Sequence, residues 1–493
     1  MNKHLQDNLQ QVMDAFHLPG MAVIVVEQGE TTLQAEMGYA DIAAQQPFTA
    51  DTVCLMASVT KSFTAALTGC LVDKGIIEWT RPVREYIPDF RMMDEFATRE
   101  ITLEDMLCHR SGLPWHENLL THGVGRELAA SGRAFRAELL QRMAHFDPSS
   151  AFRTHFQYQD IVYTCAGAVL EHVTGQDFES LAAEYLLQPL GMNESTFARS
   201  AARAGDKLAQ GYAWIDERLQ PIPFCDTRYI APSAGLYSTA HEMTAWLKLQ
   251  LAGGRVGDRQ IISPTSLAWI HRPHMLQSEN PTLGTGVTTY GHGWRQNNLH
   301  SHVVVSHGGS FNGYRSFVGF MPTKEAGFVV LSNLNLTEGA TAAGLIVLDH
   351  LLGVDAADER IAHYLKRTQF YRDMERAEAE AFAAGRNLDN PPTHNPHDYQ
   401  GIYAHPGYGV FSVTLEGDTL YQTFDGRTFP LTPYNGDTLE SRFQSTENRL
   451  LEMTFAFASN AQGNISTLRV PLIPDIPTPC FTKQITTNPM SLS

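Results

Sequence analysis

The 493-residue sequence holds no apolar run long enough to cross a membrane. Its longest ones, such as residues 21–26, are strand-sized, against the ~20 residues a spanning helix needs. Residues 1–19 lack the continuous apolar stretch of a secretory signal and read as a short amphipathic helix ended by Pro19-Gly20. The expectation is a cytoplasmic protein with no membrane partner, or a periplasmic one if a leader precedes it. Basic runs are missing too: 53 acidic side chains outweigh 36 basic ones for a formal charge of −17. So acidic a chain grips phosphate backbones poorly, which argues against nucleic acid as a partner. The six cysteines show no C-x-x-C spacing, so they read as reduced, buried thiols rather than a disulfide framework or zinc site. No Walker loop or dinucleotide glycine loop occurs. His116-Glu117 is followed by Leu120 where a zincin needs histidine, and Gly308-Gly309-Ser310-Phe311-Asn312 misses the last glycine of G-x-S-x-G. His109, His122 and His292 have no metal-ligand spacing and read as surface or core residues. No metal and no organic cofactor is expected.

Apolar residues are plentiful, at 43% with 10% aromatic, enough to bury cores in two or three domains. Two strands at 21–26 and 31–39 flank a Gln28-Gly29-Glu30 turn, and strand character returns at 291–294, 301–306, 314–321 and 326–333. Helices fill the middle, and another is expected over 338–352. Strands at both ends of a segment with helices between them predict an α+β fold, the terminal strands sharing one antiparallel sheet. Residues 356–386 carry charge at helical spacing and run into a proline- and asparagine-rich cluster, 387–396, that reads as a linker. Beyond it, short alternating stretches at 409–415, 419–424, 429–433, 450–457 and 465–470 predict a small antiparallel β-barrel or sandwich. The expected division is 1–355, a helical and linker segment 356–393, and a C-terminal domain 394–493.

Ser58-Val59-Thr60-Lys61 opens an apolar helical run. Serine and lysine three apart share a helix face, and the helix N-terminus offers free N–H donors and a positive dipole end. A lysine kept neutral there can take the serine proton and give a nucleophile without histidine. An N-capping serine beside a surface lysine has the same pattern. Two further segments bear on the choice. Tyr158-Gln159-Asp160 precedes an apolar helix ending at Thr174-Gly175, and Ser306-His307-Gly308-Gly309-Ser310 follows a β-branched strand. A glycine pair lets backbone approach a ligand closely and offer it an N–H. Alone, the aromatic reads as packing and the glycine pair as a turn.

In this order the three segments resemble the serine β-lactamase and penicillin-binding protein superfamily, closest to its class C β-lactamase-like branch with D-aminopeptidases, D-amino-acid amidases and esterases. The resemblance runs from about residue 8 to 350. It takes in Leu107-Cys108-His109-Arg110-Ser111-Gly112-Leu113-Pro114 and residues 233–240, where Thr239 and Glu242 make a capping box. It implies an antiparallel sheet flanked by helices, an all-helical subdomain, and a C-terminal barrel like the accessory domain of some relatives. It also implies Ser58 as the acylated nucleophile, Lys61 as its proton partner, and Tyr158 as the tyrosine that protonates the leaving group and activates water. The N–H groups of Ser58 and Ser310 would form the oxyanion hole, with His307, Gly308 and Gly309 where many relatives carry Lys-Thr-Gly.

Two positions depart from the pattern. Asp160 stands where asparagine is usual; ionised, it can only accept hydrogen bonds, and it favours the charged form of a neighbouring lysine. Either it binds a cationic substrate group or it titrates with Lys61 as a unit. His307 replaces the lysine whose permanent charge would pair with a β-lactam carboxylate. Together these lead to a serine hydrolase acting on D-amino-acid peptides or amides, ahead of a carboxylesterase and of a β-lactamase or DD-peptidase. A catalytically dead binding protein of the same fold is the reading outside enzymes.

Overall fold

The computed structural model describes residues 3–116, 131–198, 202, 207–215, 218–278, 287–444 and 450–484. His122 and Glu117 lie outside them. Helix α1, Lys3–Phe16, leads into β1, Gly20–Glu27, β2, Glu30–Asp41, and the short β3, Gln46–Pro47. Six strands return late in the chain: β4, Met275–Ser278; β5, Thr288–Tyr290; β6, Arg295–Leu299; β7, His302–Phe311; β8, Tyr314–Met321; and β9, Ala326–Ser332. They form one nine-stranded antiparallel sheet in the order β4-β5-β6-β7-β8-β9-β1-β2-β3, so the two ends of the segment meet where β1 pairs with β9. Every residue of β1 from Gly20 to Val26 is buried. Strand alternation then divides them: Val23 and Val25 join one core with α1 and helix α4, Gly339–Leu351, while Ala22, Ile24 and Val26 join a second.

That second core holds helix α2, Thr60–Asp73, and helix α3, Asp160–Thr174, with shorter helices such as Leu103–Leu107 and Gly132–Arg142 around them. Helix α3 is buried from Ile161 to Glu171 and stops at Gly175, whose φ of 75° closes the last turn in the left-handed region. Among the described residues no helix is long and apolar enough to cross a membrane. The six cysteines are free thiols, five of them buried.

After α4 a 28-residue helix α5, Ala357–Ala384, leads to eight strands: β10, Gly401–His405; β11, Gly409–Glu416; β12, Thr419–Phe424; β13, Arg427–Asn435; β14, Thr438–Gln444; β15, Leu450–Ser459; β16, Ile465–Arg469; and β17, Cys480–Lys483. They close into a barrel through β10 and β17, where Tyr403 faces Lys483. The sequence leads to an α+β fold with a C-terminal barrel, and the structure has that architecture.

Three local expectations are corrected. Residues 291–294 are not a strand but the turn between β5 and β6. His307 to Ser310 lie inside β7; the turn comes after them, at Asn312-Gly313 with φ of 50° and 88°. Thr239 does cap its helix by accepting from the Glu242 N–H, but the Glu242 carboxylate turns away to Ser195 Oγ and the Glu194 N–H, so the box is half made. The proline- and asparagine-rich stretch is held along its length by barrel residues. Asn387 N–H donates to the Tyr434 carbonyl, Thr393 to Asp437, and Arg386 forms an ion pair with Glu440.

Candidate active site

Ser58 sits in a single 3₁₀ turn, Ala57–Val59, that runs into α2. The residue before it, Ala57, has φ of 46°, a left-handed conformation costing an alanine roughly 1–2 kcal/mol. From Thr52 to Leu71, Ser58 alone is not buried, so this stretch meets solvent at the serine. One turn on, Lys61 is fully buried and its Nζ donates to Ser58 Oγ at 3.1 Å, to the Ser233 carbonyl at 3.0 Å and to Asp160 Oδ1. An ammonium has three hydrogens, and here each has an acceptor. The surface lysine that the same sequence pattern allows is therefore excluded. Asp160 keeps 17% of its side chain exposed while Lys61 keeps none, so the carboxylate joins the buried ammonium to the open side.

Tyr158, Gln159 and Asp160 form the entrance to α3. Gln159 is its N-cap, its Oε1 accepting from the Ile161 N–H, and the Gln159 N–H donates to His109 Nδ1 at 3.0 Å. The stretch 107–114 thus holds this turn from beneath: the Tyr163 hydroxyl donates to the Leu107 carbonyl, and the His109 ring lies 4.4 Å from that of Tyr158. Tyr158 places its ring centroid 4.8 Å from Lys61 Nζ. Burial, and after it the charges of Lys61 and Arg295, hold His109 well below the usual histidine range, so it is a neutral support.

The third wall is the edge of β7. Strand β6 stops pairing at Arg295–Ser306, which leaves the edge of β7 beyond it open on that side. Alternate N–H groups of an antiparallel strand point to opposite edges. With Phe311 and Tyr314 closing the hairpin to β8, the Ser310 N–H points to the open edge. Gly309 explains how closely this strand passes: a Cβ there would lie 2.2 Å from the Met56 carbonyl and 2.4 Å from Ser316 Oγ. Ser316 Oγ donates to the same Met56 carbonyl, tying the hairpin to the serine turn. At Gly308 a Cβ would meet only ordinary contacts, the nearest being the Ser316 carbonyl at 3.7 Å. His307 is fully buried, its Nε2 2.9 Å from the Tyr290 hydroxyl. Burial first, then Arg295 and Lys61, keep it well below the usual histidine range.

The structure thus brings Ser58, Lys61, Tyr158, Asp160 and the 307–310 strand together, and adds residues that the motifs did not reveal. Arg295 lies over Tyr158 and Tyr290, its guanidinium carbon 5.6 and 5.7 Å from their ring centroids, with Nε donating to Gln277 Oε1. The loss of a lysine at 307 therefore does not remove permanent positive charge from the site. Ser233 acts through its backbone carbonyl, which no side-chain motif can signal. The barrel also reaches the site's supports. Tyr408, fully buried, stacks on His116 (6.1 Å, 15°) and Phe146 (5.4 Å, 30°), and His116 Nδ1 lies 2.9 Å from Gln159 Nε2.

A β-lactamase family profile matches residues 5–351, and a domain of unknown function, DUF3471, matches 386–484. The unguisins hydrolase ungD' of Aspergillus campestris is 28% identical over 455 residues, covering 87% of this chain and 81% of that protein. Protein flp of Staphylococcus aureus is 26% identical over 330 residues, 65% of this chain and 60% of its own length. Among solved structures, the octameric penicillin-binding protein homologue from Pyrococcus abyssi superposes with a TM-score of 0.62 at 22% identity, over 97% of this chain and 99% of that one. The class C β-lactamase from Rhodobacter sphaeroides gives 0.57 at 20% identity, over 71% and 100%.

Proposed function

The chain belongs to the β-lactamase family, and from that premise we propose that it is a serine hydrolase forming an acyl-enzyme at Ser58, with peptides or amides of D-amino acids as substrates. The observation that carries this is the three-acceptor seat of Lys61, which holds a nucleophile, a buried cation and a carboxylate in one chain of contacts. In its neutral form Lys61 takes the proton of Ser58 as the serine oxygen attacks the scissile carbonyl. The N–H groups of Ser58 and Ser310 stabilise the oxyanion. Tyr158 protonates the leaving amine and, after it departs, removes a proton from the water that frees the acyl group. The substrate is a small molecule or peptide, and the chemistry needs no metal or cofactor.

The exposed edge of Asp160 is suited to a substrate ammonium and Arg295 to a carboxylate, which supports a peptide with a free amine. The experiment is kcat/KM for matched aminoacyl anilides, D and L, free and N-acetylated, beside short-chain esters and nitrocefin. Asp160→Asn should weaken free-amine substrates ten- to a hundredfold more than blocked ones, about the size of a charge-assisted hydrogen bond. Equal losses would assign Asp160 wholly to Lys61. Arg295 favours a second reading, a DD-peptidase or β-lactamase acting on carboxylate-bearing substrates. Arg295→Gln should then depress nitrocefin and free-acid peptides while sparing amides.

A further inference from the structure

Helix α5 is anchored at both ends and bare between them. Near its start Tyr364 and Thr368 are buried against the catalytic part, and near its end Phe382 meets the Tyr434 ring at 5.1 Å. From Gln369 to Ala384 no residue is buried. A helix that bridges two domains through solvent is ordinarily polar all round. This one instead exposes Phe370, Tyr371 and Met374 at 58%, 44% and 45%, on neighbouring turns of one face.

We propose that this face is the interface with a second copy of the same chain, the two α5 helices packing antiparallel about a two-fold axis near residue 373. The charges select that occupant and that direction. Residues 366–380 hold four basic side chains (Lys366, Arg367, Arg372, Arg376) and four acidic ones (Asp373, Glu375, Glu378, Glu380). The segment is neutral within a chain of charge −17, so two copies meet here without the repulsion that opposes contact elsewhere. The signs are also ordered, with Lys366 and Arg367 before the apolar patch and Glu378 and Glu380 after it. At 100° per residue, Lys366 and Glu380 lie on one side of the Phe370–Met374 line, and Arg367 and Glu378 on the other. An antiparallel two-fold pair sets Lys366 of each copy opposite Glu380 of its mate and Arg367 opposite Glu378, with the apolar residues meeting at the axis. A parallel pair would set like charges side by side. Lys366, Glu378 and Glu380 form no ion pair among the described residues.

Sedimentation equilibrium of the full chain tests this. The wild type should self-associate, and Met374→Asp should raise the dissociation constant about tenfold or more, the scale of losing a central apolar contact. These positions are exposed, so the circular dichroism spectrum should not change. Lys366→Glu and Glu380→Lys should each weaken association, and the two combined should restore it. Met374→Cys should cross-link to itself through a short bismaleimide, whereas Ala383→Cys, about 30 Å from its mate in an antiparallel pair, should not. A chain that stays monomeric, or whose association ignores Met374→Asp, overturns the interface. Failure of the combined charge swap, or linking at residue 383, overturns the antiparallel arrangement.

Discussion

At the scale of single residues, the two glycines of the third motif do different work. Gly309 lies against the Met56 carbonyl and Ser316 Oγ, which cannot both retreat without breaking the bond between them. Gly309→Ala should therefore lower unfolding stability by about 1–3 kcal/mol, as overpacking does, and slow labelling of Ser58 by a fluorophosphonate. Gly308→Ala, whose Cβ would make only ordinary contacts with the Ser316 carbonyl and the Phe317 ring, should leave denaturant unfolding unchanged. His307 has a comparable lesson. The sequence places it where relatives carry lysine, but its ring is buried against Tyr290 and close to two cations. His307→Lys should then lose both stability and kcat/KM on every substrate, penicillins included, because it buries a third positive charge. Ser58, Lys61 and Tyr158 were legible because chain order and spacing carry them. Arg295 was not, because its place beside Tyr158 follows from the register of β6 on β7.

At the scale of elements, legibility followed periodicity. Strand β1 and helices α2 and α3 stand where their apolar runs put them, since burial on several sides leaves one way to pack. Strand β7 runs five residues past its apolar part because pairing with β8 continues through His307-Gly308-Gly309-Ser310. Strand β10, with Tyr403 and His405 among smaller residues, is set by its pairing with β11 and β17, which sequence pattern does not contain. The turn between β10 and β11 carries Tyr408 onto His116, which pairs with the N-cap of α3 beside Tyr158 and Asp160. Truncating this ring should disturb the turn that carries the proposed proton relay more than it disturbs Ser58. Tyr408→Ala is thus expected to lower kcat several-fold, on the order of a lost positioning contact, with KM and fluorophosphonate labelling little changed. Tyr408→Phe should restore kcat, because stacking and not the hydroxyl makes the contact; if it fails to, the coupling runs by another route.

At the scale of the whole molecule, buried histidines set the response to acid. Burial lowers His116 and His271 to about 4, and holds His109, His292 and His307 well below their ordinary range. Unfolded, each takes a proton below about pH 6.5. The unfolded state then binds more protons, so stability is complete above that pH and falls as pH drops. For His116 and His271 the loss should continue down to about pH 4. Urea midpoints measured from pH 8 to 4 should decline through this window, and a flat profile would mean that these rings are solvated. The central claim is that the chain closes around one reactive serine, and intact-protein mass spectrometry after reaction with a fluorophosphonate or a penicillin tests it most directly. A single adduct is expected, mapped to Ser58 by peptide digestion and absent from Ser58→Ala, which should also be inactive. An adduct on another residue, or turnover by Ser58→Ala near the wild-type rate, would contradict it.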